Sequence, residues 1–126
     1  MHAVDTNALV LLLTGENSSQ LAGARTFVAG GVWASQVVLV ETAWVLQAGY
    51  GFDDRQLVEA LEMLLSHSGL TVQEPDVALA ALGLFKKRPA LGFADCLILE
   101  TARKAGHLPL GTFDRQLGKI DGARRL

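Results

Sequence analysis

The chain of 126 residues has the length of one ordinary domain and is long enough to bury a core without disulfides or structural metal. Its single cysteine, Cys96, excludes an intrachain disulfide and a cysteine-rich zinc site, and it indicates a reducing compartment, so we expect a cytoplasmic protein. A formal net charge of −2, from 13 acidic and 11 basic residues, does not by itself favour a nucleic-acid binder.

Four short apolar runs bounded by polar residues or glycine predict β-strands. They are "HAVD", "GVWAS", "LTVQ" and "LPLGT". Helices are predicted between them: "SQVVLVETAWVLQAGYG" begins at the potential cap Ser35 and ends at Gly49 or Gly51, and "DDRQLVEALEMLLSHSG" begins with acids and ends at Gly69. The alternation of strands and helices predicts an α/β fold with a mostly parallel sheet covered on both faces, in one domain over residues 1–126.

No apolar segment of the chain has the character of a secretory signal or a membrane span. Asp5 interrupts the first apolar stretch and Glu41 interrupts another, so we expect no membrane segment. Hydrophobic residues nevertheless make up 50% of the sequence, which for so short a chain indicates apolar surface available to a partner. Self-association is therefore expected.

Two acidic residues follow predicted strands. Asp5 comes after the first strand in "MHAVDTNALV", and Asp114 comes after the fourth in "LPLGTFD". Because ligands of parallel sheets bind at the carboxyl ends of the strands, both acids are expected at that edge. Asp5 or Asn7 could equally cap the helix that follows the first strand, since both side chains accept hydrogen bonds from the N–H groups of a first helical turn.

Two further acids, Glu41 and Asp95, lie among apolar residues in predicted helices. At spacings of three and four residues, Glu41 has Val37, Val38, Trp44 and Val45, and Asp95 has Leu91, Ile98 and Leu99. A buried carboxylate is costly unless it is paired, protonated or coordinated, and neither acid has a Lys, Arg or His at helical spacing. Taken singly, Asp95 could be an N-cap, and Glu41 could extend its carboxylate to the helix edge.

Together, the four acids favour a cation as their partner. Oxygen ligands suit hard ions, so Mg²⁺ or Mn²⁺ is expected rather than zinc, and the three histidines lack the spacing of a zinc site. Crowded carboxylates without a metal repel one another and should have raised pKa values. With a divalent ion, such a cluster can orient phosphate oxygens and activate water, which is the chemistry of phosphodiester hydrolysis.

Taken in chain order, these residues resemble the PIN-domain family, especially the toxin ribonucleases of VapBC-type toxin–antitoxin systems. The resemblance runs from Asp5-Thr6-Asn7 through Glu41 to "FADCLI" and "TFDRQL" and covers almost the whole chain. It implies a Rossmann-like three-layer α/β/α sandwich and a Mg²⁺- or Mn²⁺-dependent endoribonuclease. Two departures are small: Cys96 stands where alanine is frequent in the family, and Gly111 where a bulky aliphatic residue is usual.

The resemblance also implies roles for single residues and for partners. The positions of the family's acidic quartet are occupied by Asp5, Glu41, Asp95 and Asp114. The three aspartates would hold metal directly or through water, and Glu41 would bind metal or orient the attacking water. Thr112 matches the small hydroxyl residue that supports the last acid, and Asn7 matches a polar position beside the first. The implied partners are an RNA substrate, a cognate antitoxin protein whose C-terminal segment lies across the active-site groove, and a second copy in a homodimer.

Two other functions stay open. A receiver-like phosphoacceptor domain has a similar length and an acidic metal pocket, but the sequence lacks an acid pair after the first strand, a suitable phosphoacceptor Asp and a Lys at the end of "LPLGT". A non-catalytic PIN-like scaffold would keep the acids for structure alone, although buried carboxylates without metal reduce stability.

The basic segments at residues 86–88 and 124–125 are interpreted as solvated surface rather than as RNA contacts.

Overall fold

The computed structural model describes the backbone of residues 1–126 and every side chain except that of Ser18. Within these residues, six α-helices alternate with five short β-strands. The strands are β1 (His2–Ala3), β2 (Val32–Ala34), β3 (Leu70–Val72), β4 (Leu110–Thr112) and β5 (Ala123–Arg125). The helices are α1 (Thr6–Thr14), α2 (Ser18–Ala29), α3 (Gln36–Tyr50), α4 (Asp54–Ser66), α5 (Pro75–Lys87) and α6 (Phe93–Ala105), with 3₁₀ turns at Pro89–Leu91 and Leu117–Lys119.

The chain divides into two compact units, Met1–Pro75 and Asp76–Leu126. In the first unit, β1, β2 and β3 form a parallel three-stranded sheet in that order, with Val32 of β2 paired to His2 on one side and Leu70 on the other. In the second unit, β4 and β5 form a parallel pair. The predicted α/β class and the parallel pairing are therefore confirmed.

The structure differs from the predicted single sheet in two respects. The strands form a three-stranded sheet and a two-stranded sheet. In addition to the four strands that the sequence indicates, the structure contains a fifth strand, β5. The sequence of β5, Ala-Arg-Arg, has no apolar alternation, and Arg124 and Arg125 are exposed, so periodicity could not reveal it. The edge strand is defined by its pairing with β4 rather than by its own composition.

Local capping explains where the helices of the first unit begin and end. Ser35 caps α3, as predicted, by accepting the N–H of Val38 at 3.1 Å, and Gly51 ends the helix in a left-handed conformation with φ of 67°. The side chain of Asp53 forms a reciprocal capping box with Gln56 at the start of α4. This helix ends at Ser66, before the predicted Gly69, because the extended residue His67 already leads the chain towards β3.

The core of the second unit is built on α5 and α6. Phe85 and Phe93 pack edge to face with their ring centroids 6.2 Å apart, and Leu99 is fully buried. Cys96 is a buried thiol, and burial, followed by the charges of nearby acids, raises its pKa to about 12, so it remains an unreactive thiol at neutral pH.

Across the described residues, no helix combines the length and apolar character needed to cross a membrane.

Candidate active site

Asp5 follows β1 and is the N-cap of α1. Its backbone is extended, and its Oδ1 accepts a hydrogen bond from the N–H of Ala8 at 3.1 Å. The predicted capping role is therefore present, while Asn7 lies inside the helix. The cap uses one carboxylate oxygen, so Oδ2 can bind a ligand from the exposed position of Asp5. Capping and ligand binding are compatible roles for this residue, because capping fixes the direction of the carboxylate.

Glu41 of α3 is held by the first residue of α1. The buried hydroxyl of Thr6 donates a hydrogen bond to Oε1 of Glu41. Because Thr6 directly follows Asp5, this contact brings the carboxylate of Glu41 to the same end of α1 that Asp5 caps. The role of Thr6 is not predictable from the sequence, where its place between Asp5 and Asn7 is the only signal.

The expectation that Glu41 lies on a buried apolar face is wrong. Glu41 is exposed, and its neighbours Val37 and Trp44 are 77% and 68% exposed. The buried residues of α3 lie on a different face, formed by Leu39, Thr42, Ala43 and Leu46. Since α3 carries apolar residues on nearly all sides, spacing alone could not identify the face that enters the core. The cost of burying a carboxylate therefore gives no reason to expect a ligand at Glu41.

In the second unit, Asp95 lies in the first turn of α6 and is half-buried. The N-cap of α6 is Gly92, and no side chain caps this helix, so the alternative of an N-capping role for Asp95 is wrong. Burial raises the pKa of Asp95 above its usual 3.8, and the negative charge of Asp114 adds to the shift. Burial is the larger cause, and the contribution of Asp114 has the direction expected for neighbouring carboxylates.

Asp114 is exposed and lies two residues beyond the end of β4. Its Oδ1 accepts the N–H of Leu117 at 2.8 Å, and its own N–H donates to the hydroxyl of Thr112 at 3.0 Å. The hydroxyl of Thr112 therefore contacts the backbone of the last acid and fixes the turn from which its carboxylate extends.

Comparison with known proteins gives a family. The sequence matches the PIN domain family over residues 3–123. The chain belongs to this family. It is also 25% identical to the VapC ribonuclease of Aquifex aeolicus (strain VF5), in an alignment of 131 residues that covers 95% of this chain and 92% of that protein. No solved structure matches it. The resemblance to PIN domains is thus confirmed, and the parallel strands and helices are consistent with the α/β/α fold that it implies.

Of the four predicted ligands, Asp5 and Glu41 lie in the first unit, and Asp95 and Asp114 lie in the second. The donors are carboxylate oxygens, which suit Mg²⁺ or Mn²⁺, and a cation would relieve the repulsion between Asp95 and Asp114. Over the part of the chain that the structure describes, no group of three or more His, Cys, Asp or Glu is arranged to hold a metal ion. The chemistry of the donors fits the ion, and the four-residue metal site stays a prediction.

Asn7, the predicted supporting residue, is exposed on α1 immediately after Thr6. It lines a groove of about 570 Å³ in the first unit, together with Thr14, Asn17 and Tyr50. At the rim, the hydroxyl of Tyr50 donates a hydrogen bond of 2.6 Å to Glu16. The groove therefore begins two residues from Asp5 and continues along α1.

Proposed function

We propose that this PIN domain is a metal-dependent endoribonuclease that hydrolyses RNA phosphodiester bonds, and that it is the toxin of a type II toxin–antitoxin pair. The observation that carries the proposal is the arrangement of the four acids: hydrogen bonds orient Asp5 and Glu41 at the first turn of α1, and the charge of Asp114, whose Oδ1 accepts the N–H of Leu117, adds to the burial that raises the pKa of Asp95. The PIN family match and the similarity to a VapC ribonuclease support the same activity.

The proposed cofactor is Mg²⁺ or Mn²⁺, held by Asp5, Asp95 and Asp114, with Glu41 binding the ion or orienting the attacking water. When bound, the ion supplies Lewis-acid stabilisation of the phosphate and lowers the pKa of water. The protein supplies orientation. Thr6 fixes one oxygen of Glu41, and Thr112 fixes the backbone that carries Asp114. The hydroxyl of Thr6 directs a carboxylate and that of Thr112 fixes the backbone beside one, so both act as positioning groups.

The proposed partners are an RNA substrate, a cognate antitoxin protein and a second copy in a homodimer, in the cytoplasm. Exposed apolar side chains such as Met63, Leu79 and Ile98, each more than half exposed, provide surface for protein contacts. We also propose that residues 1–126 act as one domain, and the family match over residues 3–123, which extends through both units, supports this.

A non-catalytic PIN-like scaffold is the second candidate. Two observations favour it. The described residues form no group of three or more potential metal ligands. Asp5, Glu41 and Asp114 are exposed, so their charges reduce folding stability little when no metal is bound. The receiver-like alternative is not supported, because the chain matches the PIN family instead.

The test is cleavage of a structured RNA pool by purified protein in EDTA, Mg²⁺ or Mn²⁺. Asp95→Asn should abolish metal-dependent cleavage, with a loss larger than the about 10- to 100-fold typical of residues that only support a ligand. Glu100→Gln makes the same charge change in the same helix outside the quartet and should keep most activity.

Cleavage that persists in EDTA or in Asp95→Asn would reveal a contaminating nuclease. No cleavage at all, combined with a melting temperature insensitive to both ions, would favour the scaffold.

A further inference from the structure

The side chain of Arg103, in the last turn of α6, binds the backbone of residues 121–126, the β5 segment, which contains β5. One terminal nitrogen of its guanidinium, Nη2, donates to the carbonyl oxygen of Asp121 at 2.7 Å. The Nε–H donates to the carboxylate of Glu100, one helical turn earlier, at 3.2 Å and 3.3 Å to its two oxygens. The side chain of Glu100 is only 14% exposed, so this pair holds the guanidinium in one orientation.

The next residue of the segment, Gly122, fits closely against the same guanidinium. Its φ is 93°, a conformation that glycine adopts at little cost. A Cβ atom at this position would lie 3.0 Å from both terminal nitrogens of Arg103. The carboxylate of Asp121, by contrast, is fully exposed and 4.0 Å from Nη1, so that ion pair contributes little. The contact that matters is therefore between the arginine and the backbone of the turn that leads into β5.

β5 brings no buried apolar side chain that could fix its position. Ala123 is half-buried, and the two arginines that follow it are exposed. Backbone hydrogen bonds pair the segment with β4: the N–H of Leu110 donates to the carbonyl of Gly122, and the N–H of Leu126 donates to the carbonyl of Thr112, both at 2.8 Å. The contact with Arg103 therefore fixes this pair of strands to α6.

The far end of the β5 segment contacts the turn that carries Asp114, residues 112–118. The carbonyl of Thr112 accepts the N–H of Leu126, and its hydroxyl accepts the N–H of Asp114 at 3.0 Å. On the other side of the acid, the N–H of Gly118 donates to the carbonyl of Asp114 at 3.0 Å. A Cβ atom on Gly118 would lie 2.8 Å from the Cβ of Arg125, so the two residues are in close contact. The segment thus supports the turn both before and after Asp114.

We propose that Arg103 is a positioning residue of the active site, which fixes the β5 segment to α6 and thereby fixes the carboxylate of Asp114 relative to that of Asp95. Asp95 lies in the first turn of α6 and Arg103 in the last, so one continuous helix keeps the acid and the arginine at a constant separation. The inference rests on the proposed ribonuclease function. It adds a residue that acts through the backbone rather than on the metal ion or the RNA.

The first measurement compares RNA cleavage by Arg103→Ala and by the wild type with saturating Mg²⁺ or Mn²⁺. Loss of the guanidinium should lower kcat by about 10- to 100-fold, as for other residues that orient a ligand, and change KM by less than about 3-fold. Arg103→Lys keeps a donor for the carbonyl of Asp121 but not the planar fork, so it should recover part of the loss.

Two matched controls should keep the kcat of the wild type. Asp121→Asn removes the side-chain ion pair with Arg103 but leaves the carbonyl that accepts its hydrogen bond. Lys104→Ala removes the neighbouring cation of α6, which pairs with Asp76 at 2.8 Å instead of with the β5 segment. Glu100→Gln also stays a control, because an amide oxygen can still accept the N–H of Nε.

The second measurement needs neither metal ion nor RNA. In ¹H–¹⁵N NMR spectra recorded in EDTA, the amides of Asp114 and Leu117 report on the turn, since they donate to Thr112 and to Oδ1 of Asp114. Both resonances should move by more than a line width in Arg103→Ala and stay in place in Asp121→Asn. A contact that only adds stability would leave the resonances of the folded protein unmoved.

Gly122→Ala tests the same contact from the other side and, with Arg103→Lys, replaces Arg103→Ala if that variant fails to fold. The added methyl group should displace the guanidinium and lower kcat. In the Arg103→Ala background there is no guanidinium to displace, so the double variant should lose less than the product of the two single losses. Losses that multiply would overturn the shared contact.

The outcomes separate this inference from the function on which it rests. If the wild type cleaves RNA, an unchanged kcat in Arg103→Ala, or unmoved resonances of Asp114 and Leu117, overturns the positioning role and leaves the ribonuclease intact. An equal loss of kcat in Lys104→Ala overturns it in favour of a general effect of charge on α6. If the wild type cleaves no RNA with either ion, the proposed function fails, and the resonances in EDTA still decide whether Arg103 fixes the turn.

Discussion

At the scale of single residues, the hydroxyl of Thr6 links two helices. It is buried in α1 and donates a hydrogen bond to the carboxylate of Glu41 in α3. Thr6→Val keeps the shape of the side chain and removes the donor, so Glu41 loses its fixed orientation. We expect RNA cleavage to fall by about 10- to 100-fold in kcat/KM, as for other residues that orient a ligand. Steady-state kinetics with a saturating metal ion measures this.

Thr6→Ser is the matched control, because it retains the hydroxyl and should keep most of the activity. Equal activity in Thr6→Val and the wild type would show that the orientation of Glu41 does not limit the reaction.

Asp95 gives a prediction about stability at the same scale. Burial and Asp114 raise its pKa above 3.8, so the charged form destabilises the folded protein once the pH exceeds that value. Asp95→Asn should therefore raise the melting temperature in EDTA at neutral pH. The gain should shrink as the pH falls through the raised pKa of Asp95 towards 3.8, because the carboxyl group of the folded protein then becomes protonated and no longer carries the disfavoured charge.

Melting curves from pH 4 to 8 test this, with Glu59→Gln on the exposed face of α4 as the control. A lower melting temperature for Asp95→Asn at neutral pH would mean that the carboxylate stabilises the metal-free fold.

At the scale of the elements, the capping box of α4 carries a measurable share of stability. The N–H of Gln56 donates to Asp53 at 2.8 Å, and the N–H of Asp53 donates to Gln56 at 2.9 Å. Asp53→Ala should cost about 1 kcal/mol of unfolding free energy in urea. Arg55→Ala, which removes only the exposed ion pair with Glu59, should cost less than about 0.5 kcal/mol. Similar costs for both variants would contradict the assigned role of the cap.

The elements also show which features the sequence could predict. The ends of α3 at Ser35 and Gly51 could be predicted, because helix capping depends on residues that are close together in the sequence. The exposed side of the same helix could not be predicted, since Val37 and Trp44 are as apolar as the residues that enter the core. The short strand β5 escaped prediction because its pairing with β4 is a tertiary contact.

In the candidate site, too, residues with local contacts could be predicted from the sequence, whereas a residue with a long-range contact could not. Asp5 and Asp114 were predictable because each follows a strand and uses a carboxylate oxygen to bind an N–H three residues ahead. Thr6 was missed because its contact with Glu41 spans 35 residues of sequence. Long-range contacts of this kind leave no periodic signal in the chain.

At the scale of the whole molecule, the single-domain proposal predicts one unfolding transition for both units. Leu46 in the first unit and Leu99 in the second are fully buried. Leu46→Ala and Leu99→Ala should each cost about 2–5 kcal/mol and shift the whole transition. Calorimetry would contradict one cooperative domain if two transitions appeared and each substitution moved only one of them. Ile98→Ala, at a position 51% exposed, is the control with a small expected effect.

The most direct test of the central claim is a calorimetric titration of the protein with Mn²⁺. If Asp5, Glu41, Asp95 and Asp114 bind the metal as proposed, Asp5→Asn and Asp95→Asn should each abolish or strongly weaken binding, while Glu59→Gln and Glu100→Gln bind as the wild type does. Unchanged Mn²⁺ affinity in either aspartate variant would contradict the proposed ligand set, and absence of binding by the wild type would contradict the metal-dependent ribonuclease.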